Sequence, residues 1–359
     1  MKRKISLTAL IVVVLSTQLL LAQDSTKSLK ISGSVDAYYR VGVGASGSGN
    51  LNNFTSFTNS SSTFQLGMAS IKAEYSTSNV GAVVDLGFGK RAEEFSYADD
   101  GTLQALKQAY VYWAPSDKVK FTFGKFGTHV GYELLDPQLN KNYSMSYMFS
   151  YGPFSHTGIK ADFSLGGGTG LMIGVANPID VTSPSSEADP KTLIAQLSHT
   201  SDKVSIFLNY AGYFGAKNTM PDAASASQIG LTATATISDK FSLGYDGTVR
   251  SVKSVDYLGT GKSKGQTWWG SALYANLTAS DDFGLTLRGE YFSDRKYMLT
   301  GVNSNVTEFT LSGNYKVGGF ILIPELRLDS GKDMIFSKNS KGDPTKSAFS
   351  AILAAVYSF

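Results

Sequence analysis

Histidine, serine and glycine are the first residues to test for catalytic or ligand-binding chemistry. The three histidines, His129, His156 and His199, have no second histidine at the spacing of a metal site. Ser155 precedes His156, but a nucleophile and its base are rarely neighbours in a strand, because adjacent side chains point to opposite faces. The segment GGGTG at 166–170 lacks the lysine and the helix of a phosphate-binding loop. The sequence therefore predicts a protein that is not an enzyme and that uses no metal and no cofactor.

Charged side chains follow a more regular pattern. In FGLTLRGEYFSD at 283–294, Arg288 and Glu290 alternate with Leu287, Gly289 and Tyr291. If the apolar face borders lipid, turning the strand over would cost about 2 to 4 kcal/mol for an arginine at mid-bilayer. The register therefore directs both charges to an interior. The same pattern along the chain predicts a set of pore-lining residues: Asp36, Arg40, Lys72, Glu74, Asp85, Lys160, Asp162, Asp246, Arg250, Arg288, Glu290, Glu308, Glu325, Arg327 and Asp329.

The strands that must position these charges are joined by two kinds of connection. Four short turns have similar sequences, SDKV at 116, SDKV at 201, SDKF at 238 and SDDF at 280, in which Ser and Asp can bond the nearby backbone. Seven such short turns alternate with eight long polar segments, near 44–62, 91–103, 127–153, 178–190, 215–226, 254–265, 295–305 and 332–346. Soluble sandwiches and propellers have no reason for this alternation. It predicts an all-β fold, a transmembrane antiparallel β-barrel of about 16 strands with short periplasmic turns and long extracellular loops.

The first residues are typical of an export signal. MKRK is a basic start, residues 5–21 are largely apolar, and Ala22 is a small residue before Gln23. A membrane-spanning helix is the alternative, but the polar residues QDSTKS follow and no second apolar helix occurs. We therefore predict a signal peptide at 1–22, cleaved near Ala22, and a barrel at 23–359 in the bacterial outer membrane.

Composition excludes several other kinds of partner. The chain has no cysteine, so disulfides, thiolate zinc sites and lipid attachment through an N-terminal cysteine are excluded. Lys2, Arg3 and Lys4 lie in the signal segment, and without them the 32 basic residues become 29, equal to the 29 acidic ones. A neutral mature chain argues against a nucleic-acid partner.

The C-terminus is a strand-like segment, FSAILAAVYSF, that ends on an aromatic residue. Tyr357 and Leu353 fall on one face of it with Phe359. This pattern resembles the signal by which outer-membrane barrels are recognised for assembly. Tyr357 and Phe359 are thus the predicted assembly signal, and the predicted partners are outer-membrane lipid and the barrel-assembly machinery.

A family resemblance is carried by residues 104–163. The segments QALKQAYVYW, FTFGKFGTHVGYE and YMFSYGPFSHTGIKADF resemble the OmpL-like group of β-barrel porins. In that group a Gly-Lys-Phe strand, a Gly-Tyr-Glu step and a His-Thr-Gly strand start flank a long loop, and here they begin at Gly124, Gly131 and His156. The resemblance implies a barrel, a location in the cell envelope and a pore.

The segment 127–153 is the longest connection and is unusually apolar. Leu135, Leu139, Tyr143 and Tyr147 recur at intervals of four, which suggests helical turns that place an apolar stripe against the inner wall. We predict a constriction loop inside the lumen, formed by Glu133, Asp136, Lys141, Tyr143 and Tyr147, with the three charged residues exposed to solute. The alternative is a cap packed on neighbouring loops outside the barrel.

Two functions fit these predictions. The first is a porin-like channel for passive diffusion of small hydrophilic solutes. The second is a barrel with a blocked lumen that acts as a surface binding or structural protein, such as a receptor or adhesin. The interior charges are nearly balanced in sign, so the sequence predicts no ion selectivity. Trimers are common among sixteen-stranded porins, so a homotrimer stands beside a monomer as a possible assembly.

Overall fold

The computed structural model describes residues 27–42, 52–184, 190–214, 225–253, 265–294, 300–338 and 341–359. The predicted signal peptide at 1–22 lies outside these residues, so its cleavage near Ala22 stays a prediction.

Antiparallel strands account for most of the described chain. They are β1 Ser28–Gly42, β2 Thr63–Ser76, β3 Val80–Phe88, β4 Leu106–Ser116, β5 Val119–Gly127, β6 Ser155–Gly166, β7 Thr169–Ala176, β8 Thr192–Thr200, β9 Val204–Phe214, β10 Ser225–Ser238, β11 Phe241–Lys253, β12 Gly265–Thr278, β13 Phe283–Ser293, β14 Asn305–Val317, β15 Phe320–Gly331, β16 Phe336–Ser337, β17 Pro344–Thr345 and β18 Ser347–Ser358.

Sixteen of these strands, β1 to β15 and β18, form one closed barrel, and β16 pairs with β17 in a small separate hairpin. The barrel closes where β18 pairs with β1, with Tyr357 opposite Val35. Beyond that pair, Gly33 and Phe359 exchange two backbone hydrogen bonds of 3.1 Å. The seven predicted short turns and eight long connections all occur between barrel strands. The prediction of a sixteen-stranded antiparallel barrel is therefore confirmed.

Period-two alternation explains the strands. In β13, Leu287 is 46% exposed on the outer face, while its neighbours Thr286 and Arg288 are buried. Apolar side chains cover the outside and polar ones fill the inside, which is the pattern of a barrel that has lipid around it.

A β-bulge at Gly67 interrupts this alternation in β2. Asp36 pairs with Met68 and Ala37 pairs with Leu66, so Gly67 has no partner on β1. A Cβ on Gly67 would lie 1.8 Å from Asp36 Oδ2, so only glycine leaves room for that carboxylate. The bulge therefore lets Asp36 point into the barrel with its Oδ1 accepting from Met68 N at 3.0 Å.

Helices are short and lie in two of the long connections. Between β3 and β4 are α1, Lys90–Phe95, and a 3-10 helix, Gly101–Ala105. Between β5 and β6 are a 3-10 helix, Pro137–Leu139, and α2, Tyr147–Tyr151. In the described part of the chain, every helix is too short or too polar to span a membrane.

Candidate functional site: the inner loop and the barrel wall

The connection between β5 and β6, residues 128–154, lies inside the barrel, and we call it the inner loop. Its backbone and side chains bond to inward-facing residues on β1 and on the β9 to β15 side of the wall, including Asp36, Asp246, Glu290 and Glu325. The barrel therefore has a segment of its own chain across its lumen.

Two glutamates of the wall hold the inner-loop backbone. Glu290 on β13 accepts hydrogen bonds from Tyr147 N at 2.7 Å and Met148 N at 2.8 Å. Glu325 on β15 accepts from Tyr143 N at 2.7 Å and Ser144 N at 3.1 Å. Each glutamate thus bonds two consecutive N–H groups and fixes one short stretch of the loop.

Arg288 is the centre of a buried charge cluster on the same side. Its guanidinium donates to Glu133 of the inner loop at 2.6 Å, to Glu308 of β14 at 3.0 Å, and to the Ser144 carbonyl at 2.7 Å. Glu133 in turn accepts from Tyr274 Oη at 3.2 Å. Removing one partner of a buried ion pair leaves an uncompensated charge, so this cluster ties the loop to β12, β13 and β14 together.

A second arginine, Arg327 on β15, acts in a similar way. It donates to the Met145 carbonyl at 2.6 Å and to Asp329 at 2.9 Å. Asp329 also accepts from Tyr147 Oη at 3.0 Å and from Asn52 Nδ2 at 2.9 Å. The first long connection, which contains Asn52, therefore also contributes to holding the inner loop.

Arg91 of α1 reaches the inner loop from the opposite direction. It is fully buried, donates to the Leu135 carbonyl at 3.2 Å, and its guanidinium lies 5.0 Å from the centre of the Tyr143 ring. Tyr143 Oη donates to Asp36 on β1 at 2.5 Å. Three separate parts of the chain thus meet at Tyr143.

The start of the inner loop is fixed to β11 and β9. Tyr132 N donates to Asp246 on β11 at 3.1 Å, and the Tyr132 ring stacks on Tyr274 with centres 4.3 Å apart. His129 Nε2 lies 3.0 Å from the Tyr210 carbonyl on β9, which can only accept, so Nε2 carries the proton. Burial lowers the pKa of His129 to about 4, so the ring is neutral at pH 7.

The motif residues behind the family resemblance are where the loop leaves and rejoins the wall. Gly124 has φ of 134°, and a Cβ there would lie 2.3 Å from the Ala109 carbonyl oxygen. Lys125 pairs with Asp99 at 2.8 Å. Gly131 has φ of 99°, and His156 Nε2 lies 3.1 Å from Thr128 Oγ1. The motif therefore sets the geometry of the loop rather than any chemistry.

The predicted pore-lining residues divide into two groups. Ten are buried beneath the inner loop or neighbouring segments: Asp36, Arg40, Asp85, Asp246, Arg288, Glu290, Glu308, Glu325, Arg327 and Asp329. The charged groups of these ten bond to other parts of the chain, and their lining of an open pore stays a prediction. Five are partly exposed: Lys72, Glu74, Lys160, Asp162 and Arg250.

The predicted constriction residues need correction. Glu133 is buried against Arg288 and is not exposed to solute, whereas Lys141 is exposed and the side chain of Asp136 is 20% exposed. Tyr143 and Tyr147 are fully buried. The predicted helical stripe is wrong as well, because Leu139 is 61% exposed and the helices end before Asn140 or begin at Tyr147.

Sequence reasoning missed two basic residues of this region. Lys107 lies at a bulge in β4, where Asp85 pairs with Gln108 and Leu86 pairs with Leu106. Its Nζ bonds to Asp85 at 3.0 Å and to Asp136 of the inner loop at 2.6 Å. Strict alternation gives no signal for Lys107, and Arg91 lies in a connection, where alternation does not apply.

Several cavities border the inner loop, and two of them exceed 300 Å³. One of about 330 Å³ lies between the loop and β4 to β6, with Lys120 and Leu139 on its sides. Another of about 310 Å³ lies at the long-connection end, bordered by Tyr151 and Arg250. Within the described ranges, no group of three or more histidine and acidic side chains is placed to hold a metal ion.

A closed sixteen-stranded barrel with a polar interior and an inner loop defines a porin-type outer-membrane channel. The family model described as "Putative beta-barrel porin-2, OmpL-like" matches residues 28–359. The chain belongs to this family, so the fold and the family resemblance predicted from the sequence are both confirmed.

Solved structures show the same fold. The chain is similar to the outer membrane channel DcaP of Acinetobacter baumannii, at 13% identity and a TM-score of 0.62 over 94% of this chain and 99% of that one. It is similar to an anion-selective porin from Comamonas acidovorans, at 12% identity and a TM-score of 0.60 over 93% of this chain and 100% of that one. It is also similar to the trimer form of OmpT of Vibrio cholerae, at 12% identity and a TM-score of 0.59 over 93% of this chain and 100% of that one. None of the curated proteins compared with the chain matches it.

Proposed function

We propose that the protein lets small hydrophilic solutes diffuse passively through the barrel, and that the inner loop sets the width of the path. The observation that carries this proposal is the anchoring of the loop on both sides of the lumen, by Glu290 on β13 on one side and by Lys107 on β4, which pairs with Asp136 of the loop, on the other. Sixteen-stranded barrels enclose a lumen wide enough for water, and a fixed segment across it narrows that lumen. Solutes cross down their own gradient.

The exposed part of the wall supplies the surface that solutes meet. Lys72, Lys160 and Arg250 are partly exposed there, as are Glu74 and Asp162. Lys141 and Asp136 of the inner loop complete this surface. Among the predicted pore-lining residues, three partly exposed basic ones stand against two partly exposed acidic ones, which supports a weak preference for anions.

The blocked barrel is the second candidate. The observation that favours it is the full burial of Arg288, Tyr143 and Tyr147 in the middle of the lumen. Such a barrel would bind a partner through its long connections and conduct nothing.

Conductance of the purified protein in planar bilayers separates the two functions. A diffusion channel gives discrete current steps that grow with salt concentration, and it swells liposomes in an isotonic solution of a small neutral sugar. A correctly folded barrel that gives neither steps nor swelling would be the blocked form.

We further propose that the long connections face the cell exterior and that the chain forms a homotrimer, as the trimer form of OmpT supports. A tag inserted after Pro184 should be labelled on intact cells, whereas one after Asp239 should not. Native mass measurement in detergent should give three times the monomer mass. Labelling at Asp239 alone, or a monomer mass, would contradict the respective proposal.

A further inference from the structure

The cavity between the inner loop and β4 to β6 has two chemically different sides. Lys120, Thr122 and Lys160 of β5 and β6 border it on the barrel wall, and Leu134, Leu135 and Leu139 of the inner loop border it on the other side. Its volume of about 330 Å³ is in the range of sites that enclose small organic molecules.

The wall side offers a cation that has no acidic partner. Lys107 also borders the cavity, but its charge is committed to Asp85 and Asp136. Lys160 pairs with Asp162 at 3.1 Å. Among the residues that the structure describes, Lys120 forms no ion pair, and its Nζ lies 4.9 Å from the centre of the Tyr112 ring.

A buried hydroxyl next to this cation also lacks a partner. Thr122 is 2% exposed, and its Oγ1 has no hydrogen-bond partner in the described part of the chain. Buried polar atoms are almost always paired, so an unpaired hydroxyl beside the cavity is unusual, although the oxygen itself is closed to solvent. Thr122 pairs directly with Lys160 across β5 and β6, so the hydroxyl and both lysines belong to one patch.

The loop side carries exposed leucines beside Glu133 and Asp136, whose carboxylates pair with Arg288 and Lys107. Leu134 is 46% exposed and Leu139 is 61% exposed, although both lie inside the barrel and not on its lipid face. Leu139 also borders two further cavities, of about 230 and 210 Å³, along the loop. Exposed leucines inside a polar lumen offer a surface to a solute that has an apolar part.

We propose that this cavity is a binding site for small organic monoanions with an apolar body, the class of aliphatic or aromatic monocarboxylates. The carboxylate lies at Lys120, and the apolar body lies against Leu134 and Leu139. This inference rests on the proposed diffusion function and names the class of solute that the channel favours.

The test uses full-length protein in planar bilayers and measures block of a potassium chloride current by acetate, hexanoate and hexylammonium. Hexanoate should block at a concentration at least five-fold below that of acetate, and hexylammonium should block least. Lys120→Gln should raise the half-blocking concentration of both carboxylates, whereas Leu139→Ser should raise that of hexanoate alone. Both side chains are exposed, so the substitutions should leave folding intact.

Matched controls are Lys253→Gln at the end of β11 and Leu103→Ser in the connection after β3, which should leave all three values unchanged. Equal block by acetate and hexanoate, or unchanged values in both test variants, would overturn the inference and leave the diffusion function standing. If the protein gives no current steps, the diffusion function fails, and calorimetric titration of the purified barrel with hexanoate then decides the site. Heat of binding that is lost in Lys120→Gln supports it, and no heat overturns it.

Discussion

Glu290 is the clearest example of how single residues hold the inner loop. Both of its carboxylate oxygens accept backbone N–H groups, from Tyr147 and Met148, at 2.7 and 2.8 Å. A glutamine has one acceptor oxygen and one NH₂ group, so one of these N–H groups would face another donor. An unsatisfied buried group costs about 1 to 3 kcal/mol.

We therefore expect Glu290→Gln to loosen α2 and to give larger and noisier single-channel currents than the unmodified protein. Glu93→Gln is the matched control, because Glu93 is exposed and pairs only with Lys90 among its described contacts. Identical current traces for Glu290→Gln and the unmodified protein would show that the loop does not depend on this anchor.

His129 gives the loop a pH dependence. Burial lowers its pKa to about 4, below the usual value of about 6.5. Above pH 6.5 the ring is neutral in both the folded and unfolded states, and its contribution to stability is fully present. Between pH 6.5 and about 4 only the unfolded state takes up a proton, so about 3 kcal/mol of stability is lost.

The main physical cause is the burial of the ring, which disfavours its charged form. Hydrogen bonds from the charged ring to the backbone of Tyr210 and Ala195 offset this cost only in part. Melting temperatures measured from pH 7 to pH 4 should fall more steeply for the unmodified protein than for His129→Gln, which keeps a donor for the Tyr210 carbonyl. Parallel curves would assign the acid sensitivity to other groups.

The inward-facing charges could be read from alternation, but their environment could not. Alternation places Arg288 and Glu325 on the inner side of their strands, because the opposite register would put them in lipid. Nothing in a strand pattern says that a segment more than a hundred residues away will cover them. The same limit explains why Arg91, which lies in a connection, was missed.

At the scale of elements, turns and strands could be predicted because their signals are local. Ser-Asp turns and period-two alternation each need only a few neighbouring residues. The bulges at Gly67 and Lys107 could not be predicted, because each depends on the strand opposite. At Gly67 the decisive contact is with Asp36, and at Lys107 it is with Asp85 and Asp136.

The last strand provides a prediction at this scale. We propose that Phe359 and Tyr357 form the signal read by the assembly machinery, and the barrel seam supports this because Phe359 exchanges two hydrogen bonds with Gly33. The Phe359 ring also covers Gly33, where a Cβ would lie 2.7 Å from the ring. Tyr357 is 52% exposed and Phe359 is 65% exposed, so both aromatic side chains are accessible to another protein or to lipid.

Deletion of Phe359 should therefore sharply reduce the heat-modifiable, folded barrel in the outer membrane at native expression. Phe309→Ala is the control, because Phe309 is an outward-facing aromatic residue that is 51% exposed and lies on β14, which does not pair with β18 or β1. An undiminished amount of folded barrel after the deletion would remove Phe359 from the signal.

For the whole molecule, the central relation is between a wide barrel and the segment that crosses it. Carboxylates of the wall accept loop N–H groups, and arginines of the wall donate to loop carbonyls, as Glu325 and Arg327 do on β15. The closed sheet keeps its own backbone bonds without the loop. Without the loop the wall charges would face water, so the barrel should persist and its lumen should widen.

Replacing residues 134–150 with a short glycine-serine linker tests this relation most directly, with single-channel conductance as the measurement. Deletion of residues 185–189 in another long connection is the control. The account predicts a folded barrel whose conductance rises several-fold and whose charge selectivity weakens, while the control matches the unmodified protein. Unchanged conductance in a correctly folded barrel would contradict it.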